Sequence, residues 1–125
     1  MLNRINLMGR LTKDPELRAT NSNKPVATFT LAVDRDFGEK ATDFINVVAW
    51  NQTANFVKNY FGKGQMMTVS GRLQSRKWED RDGNKRTEWE VVADAVYFCG
   101  DKSRAEKADK PVFEELSDDD GDLPF

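Results

Sequence analysis

The sequence predicts an all-β domain with one short helix, followed by a charged C-terminal segment. Apolar and polar residues alternate through most of the first 100 positions, the period becomes helical only once, and clusters of Gly, Pro, Asn and Asp separate the segments. With 125 residues, the chain has room for one domain and a tail. We therefore expect a folded domain at 1–100, a flexible charged linker at 101–117 and a disordered acidic peptide at 118–125.

Three strands are expected before the helix. In the first, at 4–11, every second side chain is suited to a core. The stretch that follows carries turn signals at 14–15 and 20–25 and is interpreted as a polar turn region. The second strand is predicted at 28–34 and the third at 43–50. In each strand, alternation assigns one face to the core and the other to solvent.

A single helix is predicted after residue 50, with Asn51 as its N-cap. Ala54, Val57 and Phe61 form its apolar stripe, and Gly62 and Gly64 are expected to end it. A long hairpin follows, in which the chain alternates over 67–78, turns at Asp82-Gly83 and returns over 85–98. The return strand loses its alternation at 89–93, which predicts a β-bulge and leaves the facing of this strand open.

Three strands, a helix and two more strands follow one another in the order of a five-stranded OB-fold barrel, with an extended hairpin formed by its fourth and fifth strands. This fold binds oligonucleotides, oligosaccharides or proteins, so the side chains on its outer faces must decide the function.

Composition excludes most catalytic chemistry. The chain has no His and a single Cys, Cys99, so neither a zinc site nor a Ser-His-Asp triad can form. It has no glycine-rich phosphate loop, and no apolar run approaches the roughly 20 residues that cross a bilayer. We expect a non-enzymatic binding protein in the reducing cytoplasm, with no cofactor, no metal and no membrane association.

The charge is divided unevenly along the chain. The net charge is −2, but residues 1–100 hold 15 basic and 12 acidic side chains, whereas 101–125 hold 4 and 9. A basic body with a tethered acidic peptide is typical of a protein whose tail competes for its own anion site.

Aromatic rings and cations are interleaved on the outward positions of the predicted strands. Phe44, Trp50 and Trp78 share faces with polar residues rather than with Val and Ile, and Phe37 lies in a loop. Single-stranded nucleic acid is bound by rings that stack bases and by cations that contact phosphates. The candidate phosphate contacts are Arg4, Arg10, Arg35, Lys40, Arg72, Arg76 and Lys77. We assign Trp89 and Phe29 instead to packing or to a subunit contact.

The acidic terminus is predicted to dock onto partner proteins. Its carboxylates repel one another and so hold its apolar tip in solvent. The candidate docking residues are Asp118, Asp119, Asp120, Asp122, Leu123, Pro124 and Phe125. Calcium binding by the alternate aspartates is the alternative, but Gly121 takes the fourth position and no twelfth-position Glu follows.

The chain closely resembles the bacterial single-stranded DNA-binding protein family. The resemblance rests on the segments 2–5, 9–16, 28–33, 43–48 and 71–73, on Lys77-Trp78 and on the acidic Leu-Pro-Phe end. It implies an OB-fold homotetramer that wraps single-stranded DNA without sequence preference, stacking bases on the four rings. It also implies a nucleoid-associated protein whose terminus recruits replication, recombination and repair proteins.

The chain departs from the family in two ways, and two other functions stay open. Its linker is short and charged rather than Gly-rich, and Phe stands at two ring positions where other members carry Trp. An accessory module that mainly binds proteins is the alternative function. A role on RNA is also open, because a stacking surface accepts any base.

Overall fold

The computed structural model describes residues 1–100 as six strands and one helix. The predicted linker and terminal peptide, 101–125, lie outside the described residues. The elements are β1 (Ile5–Leu11), β2 (Glu16–Ala19), β3 (Pro25–Asp34), β4 (Thr42–Trp50), α1 (Asn51–Tyr60), β5 (Met66–Glu79) and β6 (Lys85–Phe98).

Five of the strands close into a barrel in the order β1, β5, β6, β4 and β3. The ring is completed where β1 also pairs with β3, through Arg10 with Ala32 and Leu11 with Leu31. All pairs are antiparallel except β4 with β6, which is parallel. This architecture confirms the OB-fold barrel with a long hairpin, now formed by β5 and β6.

The strand β2 was not expected from the sequence, because its residues fall in the stretch interpreted as a polar turn. It pairs with the first half of β3 at the edge of the sheet, from Glu16 with Thr28 to Ala19 with Pro25. All four of its side chains are exposed. A strand with no buried face has no alternation of apolar and polar residues, so the pattern that predicts other strands is absent here.

The core is formed by the inward faces of the barrel strands and by one face of α1. Leu31, Val47, Met67, Val69 and Val91 are fully buried, as the alternation predicts for the first four. The helix adds the predicted Ala54, Val57 and Phe61 to the same cluster. Phe29 joins it too, which confirms packing as its role.

The helix begins differently from the prediction. Trp50 is the N-cap residue and makes no side-chain cap hydrogen bond, whereas Asn51 is the first helical residue and has φ +56°. Asn tolerates this left-handed conformation, so Asn51 turns the chain from β4 into α1 rather than capping it. The helix ends at Tyr60, with Phe61 extended and Gly64 at φ +85° shortly after it.

The predicted bulge in the return strand is present, just beyond 89–93. Ser70 pairs with Ala95 and Gly71 pairs with Ala93, so Asp94 of β6 is the extra residue. The backbones approach so closely here that a Cβ on Gly71 would lie 2.0 Å from the carbonyl oxygen of Val92. Only glycine fits this corner of the barrel.

Candidate nucleic-acid interface

All four rings predicted to stack bases lie at the surface. Phe37 is 89% exposed, Phe44 68%, Trp50 41% and Trp78 42%. Because large aromatic side chains usually bury most of their area, this exposure requires a reason other than packing.

The register of the sheet joins the rings of β4 and β5 on one face. Val48 of β4 pairs with Val92 of β6, which pairs with Arg72 of β5. Paired residues point to the same side of a sheet, and alternation places Phe44 and Trp50 on the side of Val48. Phe44 and Trp50 of β4 therefore share one outer face with Arg72 of β5. The same face continues along β5 to Trp78, since alternation places Trp78 on the side of Arg72.

The loop that carries Phe37 is held at its base. The Arg35 backbone N–H donates to the carbonyl of Ala41 at 3.0 Å. The Arg35 guanidinium also donates two hydrogen bonds to the Asp43 carboxylate, at 3.0 and 2.9 Å. These hydrogen bonds lower the pKa of Asp43 below its usual value, so the carboxylate stays charged. Because these hydrogen bonds join the two ends of the loop, the Phe37 ring is presented at its tip.

The predicted cations are all exposed, but they differ in their partners. Arg4 lies 2.6 Å from the bulge residue Asp94, and Arg35 is paired with Asp43 as above. Among residues 1–100, Lys40 and Lys77 have no ion pair.

The other arginines reach main-chain or side-chain oxygens. Arg10 donates to the carbonyl of Gly64 at 2.9 Å, and Arg72 donates to the side chain of Gln74 at 3.2 Å. The pairings of Arg10 with Ala32 and of Ala32 with Phe44 place the backbone of Arg10 two strands, or about 10 Å, from the backbone of Phe44. Arg10 therefore belongs to the same surface as the rings of β4.

The outer part of the hairpin is braced by ion pairs around Trp78. Arg76 contacts Glu88 and also Glu90, the latter at 3.4 Å, and Arg86 lies 3.1 Å from Asp80. All of these residues share the face of Trp78, because the register pairs Trp78 with Arg86 and Arg76 with Glu88. Arg76 and Arg86, the cations of the outer hairpin on this face, are therefore already matched by carboxylates.

The turn of the hairpin lies where Asp82-Gly83 predicts it. The Asp80 carboxylate accepts hydrogen bonds from the backbone N–H groups of Asn84 at 2.9 Å and Asp82 at 3.0 Å. The hydrogen bond from Asn84 contributes most to lowering the pKa of Asp80, and the Arg86 side chain adds to it.

Trp89 is a large ring for which the sequence analysis expected packing or a subunit contact. It is 59% exposed, so packing within this domain, one of the two roles expected for it, is wrong. The other role, a subunit contact, stays a prediction. Its facing was available from the turn, because counting back from Asp82-Gly83 pairs Trp89 with Ser75. The sequence analysis left the facing open because it expected a bulge in this strand, and a bulge shifts the pairing by one residue.

In residues 1–100, no cluster of Cys, Asp and Glu could hold a metal ion. No helix in that range has the length and apolarity to cross a bilayer. A closed β barrel with rings and cations on its outer face defines an OB-fold protein of the nucleic-acid-binding class.

Comparison with known proteins narrows this class. Residues 2–99 match the model of the single-strand binding protein family. The chain is 46% identical to single-stranded DNA-binding protein 2 of Staphylococcus aureus, with 100% of both chains covered. It is 44% identical to the single-stranded DNA-binding protein of Caldanaerobacter subterraneus, over 100% of this chain and 86% of that one. The chain belongs to the single-strand binding protein family, whose members are non-enzymatic DNA-binding proteins.

Proposed function

We propose that this protein coats single-stranded DNA without sequence preference, by stacking bases on Phe37, Phe44, Trp50 and Trp78. The exposure of all four rings carries the proposal. Every base has a flat face, so a stacking surface accepts any sequence. At about 1 to 3 kcal/mol per stacked base, four rings supply roughly 4 to 12 kcal/mol before the cost of ordering the strand.

We assign the phosphate contacts to cations of the barrel and of the hairpin, among which Lys77 lies on the side of the hairpin opposite Trp78. Lys40 and Lys77 are available as they stand, whereas Arg4, Arg35 and Arg76 would exchange a carboxylate partner for a phosphate. Arg10 and Arg72 complete the set. If about five cations engage the strand, the logarithm of affinity should fall with the logarithm of salt concentration at a slope near −3.5.

We further propose that the working form is a homotetramer with three parts in each chain. Residues 1–100 bind DNA and assemble, 101–117 act as a linker, and 118–125 dock onto replication, recombination and repair proteins at the nucleoid. The tetramer rests on the resemblance to the single-strand binding protein family, whose model residues 2–99 match. The acidic tail chemistry of Asp118 to Phe125 supports docking into a basic-rimmed apolar pocket.

Titration of intrinsic tryptophan emission with oligo-dT tests the DNA proposal directly. Trp50 and Trp78 report on stacking, so single-stranded DNA should quench the emission strongly and double-stranded DNA should not. As the salt concentration rises, the midpoint of the titration should move to higher DNA concentration, with the slope of affinity given above. Absence of quenching by the single strand, with the protein folded by circular dichroism, would refute the stacking assignment and favour a module that mainly binds proteins.

A further inference from the structure

The hairpin of β5 and β6 presents a large ring on each of its two faces. Trp78 pairs with Arg86, whereas Trp89 pairs with Ser75, three positions earlier on β5. Successive side chains of a strand point to opposite sides, so Trp78 and Trp89 lie on opposite faces. We name the side of Trp78 the front face and the side of Trp89 the back face.

The back face begins where the core of the barrel ends. The next pair toward the barrel on this side is Leu73 with Val91, and Val91 is fully buried while Leu73 is 38% exposed. Trp89 therefore stands at the rim, where the hairpin leaves the barrel. Nothing in residues 1–100 covers it sufficiently to bury it, since it is 59% exposed.

The two faces differ in the state of their cations. On the front face, Arg76 and Arg86 are engaged by Glu88, Glu90 and Asp80. The back face, continued toward the turn, carries Lys77 paired with Thr87 and Glu79 paired with Lys85 in the register.

Neither lysine of the back face has an ion pair within the described residues. Thus the back face combines an exposed ring with two lysines that form no ion pair, and Glu79 lies opposite one of them, Lys85. Same-face positions along a strand are separated by about 7 Å, so Lys77 lies one such step beyond the Ser75–Trp89 pair.

We propose that Trp89, Lys77 and Lys85 form a second stacking surface for single-stranded DNA, so that the strand contacts both faces of the hairpin. The proposal rests on the single-stranded DNA binding proposed above and adds a fifth ring to it. An exposed ring beside unpaired cations is the combination that single-stranded nucleic acid requires. A surface buried against a second copy would instead tend to be depleted of lysine.

A chain with Trp89 as its only tryptophan tests the proposal. The changes Trp50→Phe and Trp78→Phe keep an aromatic ring at both positions and leave Trp89 as the sole emitter. DNA binding is followed separately, by the anisotropy of a dye-labelled oligo-dT. In the free protein, we expect acrylamide to quench the emission of Trp89. On addition of oligo-dT, we expect DNA binding to quench this emission as the anisotropy rises.

Two results would refute this proposal while leaving the general DNA-binding function intact. One is a rise in anisotropy with no change in Trp89 emission. The other is emission that is blue-shifted and shielded from acrylamide before DNA is added and that stays unchanged afterwards, which would assign Trp89 to a contact between copies. If the unaltered chain gave no rise in anisotropy, the proposed function itself would fail.

Substitutions in the otherwise unaltered chain give an independent measurement. Trp89→Ala should weaken oligo-dT binding about tenfold, and Trp89→Phe should restore most of the loss, because stacking needs a ring rather than an indole. Lys77 already belongs to the proposed phosphate contacts, so Lys85→Gln is the discriminating change, and it should make the salt slope shallower by about 0.7. Unchanged affinity for Trp89→Ala, in a chain that folds normally, would contradict the proposal.

Discussion

The same two strands, β5 and β6, behave differently inside the barrel and beyond it. Within the barrel, side chains such as Met67, Val69 and Val91 are fully buried and set which face points inward. In the outer arm, at 74–79 and 85–90, most side chains on both faces are exposed. The comparison teaches that packing selects one face in the barrel, whereas the arm keeps both faces available for binding.

The forces that hold the two parts also differ. Burial of apolar area stabilises the barrel, at about 1.5 to 3 kcal/mol for each large aliphatic side chain. The arm is held by backbone pairing, by the turn at Asp80 and by exposed ion pairs such as Arg76 with Glu88. Exposed ion pairs contribute only about 0 to 1 kcal/mol each. Changes on the buried face of the barrel should therefore affect stability, and changes in the arm should affect binding with little effect on stability.

The largest expected effect comes from Gly71→Ala, at the corner of the barrel. The added Cβ would lie 2.0 Å from the main-chain oxygen of Val92, which no side-chain movement relieves. We expect a loss of at least about 1 to 3 kcal/mol in the free energy of unfolding, measured by urea denaturation. Ser75→Ala, on the arm of the same strand, is the matched control and should change stability by less than about 0.5 kcal/mol. Equal midpoints for the two variants would contradict the division between barrel and arm.

A smaller effect, on binding rather than stability, is expected from Trp78→Ala. Its ring is 42% exposed on the arm, so its removal should leave the urea midpoint nearly unchanged. The affinity for oligo-dT should fall by about 1 to 3 kcal/mol, because one stacked base loses its ring. Trp78→Phe should retain most of the affinity. Full affinity in the Ala variant would instead favour the accessory module whose main partners are proteins.

The smallest effect is expected from acid titration of the turn. Because hydrogen bonds lower the pKa of Asp80 in the folded protein, its contribution is complete above the ordinary aspartate pKa of about 4. The contribution is lost as the pH falls through the lower folded value. Amide exchange at 80–84, measured by NMR, should therefore speed up relative to the barrel core in acid.

The change Asp80→Asn removes this acid dependence, whereas Asp82→Asn should keep it. Asp82 contributes its backbone N–H to the turn, which its substitution leaves in place. Identical acid profiles for the two variants would show that the Asp80 carboxylate does not stabilise the arm.

Much of the fold and of the candidate site was predictable from local sequence. Alternation located β1, β3, β4, β5 and β6, the change of period located α1, and parity placed Phe44, Trp50 and Trp78 on exposed faces. These predictions succeed because a strand in a barrel has one buried face, so apolar residues recur at every second position of its sequence. The strand β2 has no buried face, and the sequence pattern therefore did not predict it.

The sequence by itself determined the strand faces, the exposed rings and the turn of the hairpin, since each depends on neighbours along the chain. Only the tertiary structure decided how β1 closes on β3, that Asp94 is the bulged residue, and that Trp89 stays exposed where the hairpin leaves the barrel. Tertiary structure also decided which cations are matched by carboxylates and which, like Lys77, are not. These features depend on pairing between residues distant in sequence, and that pairing is set by the packing of the whole barrel.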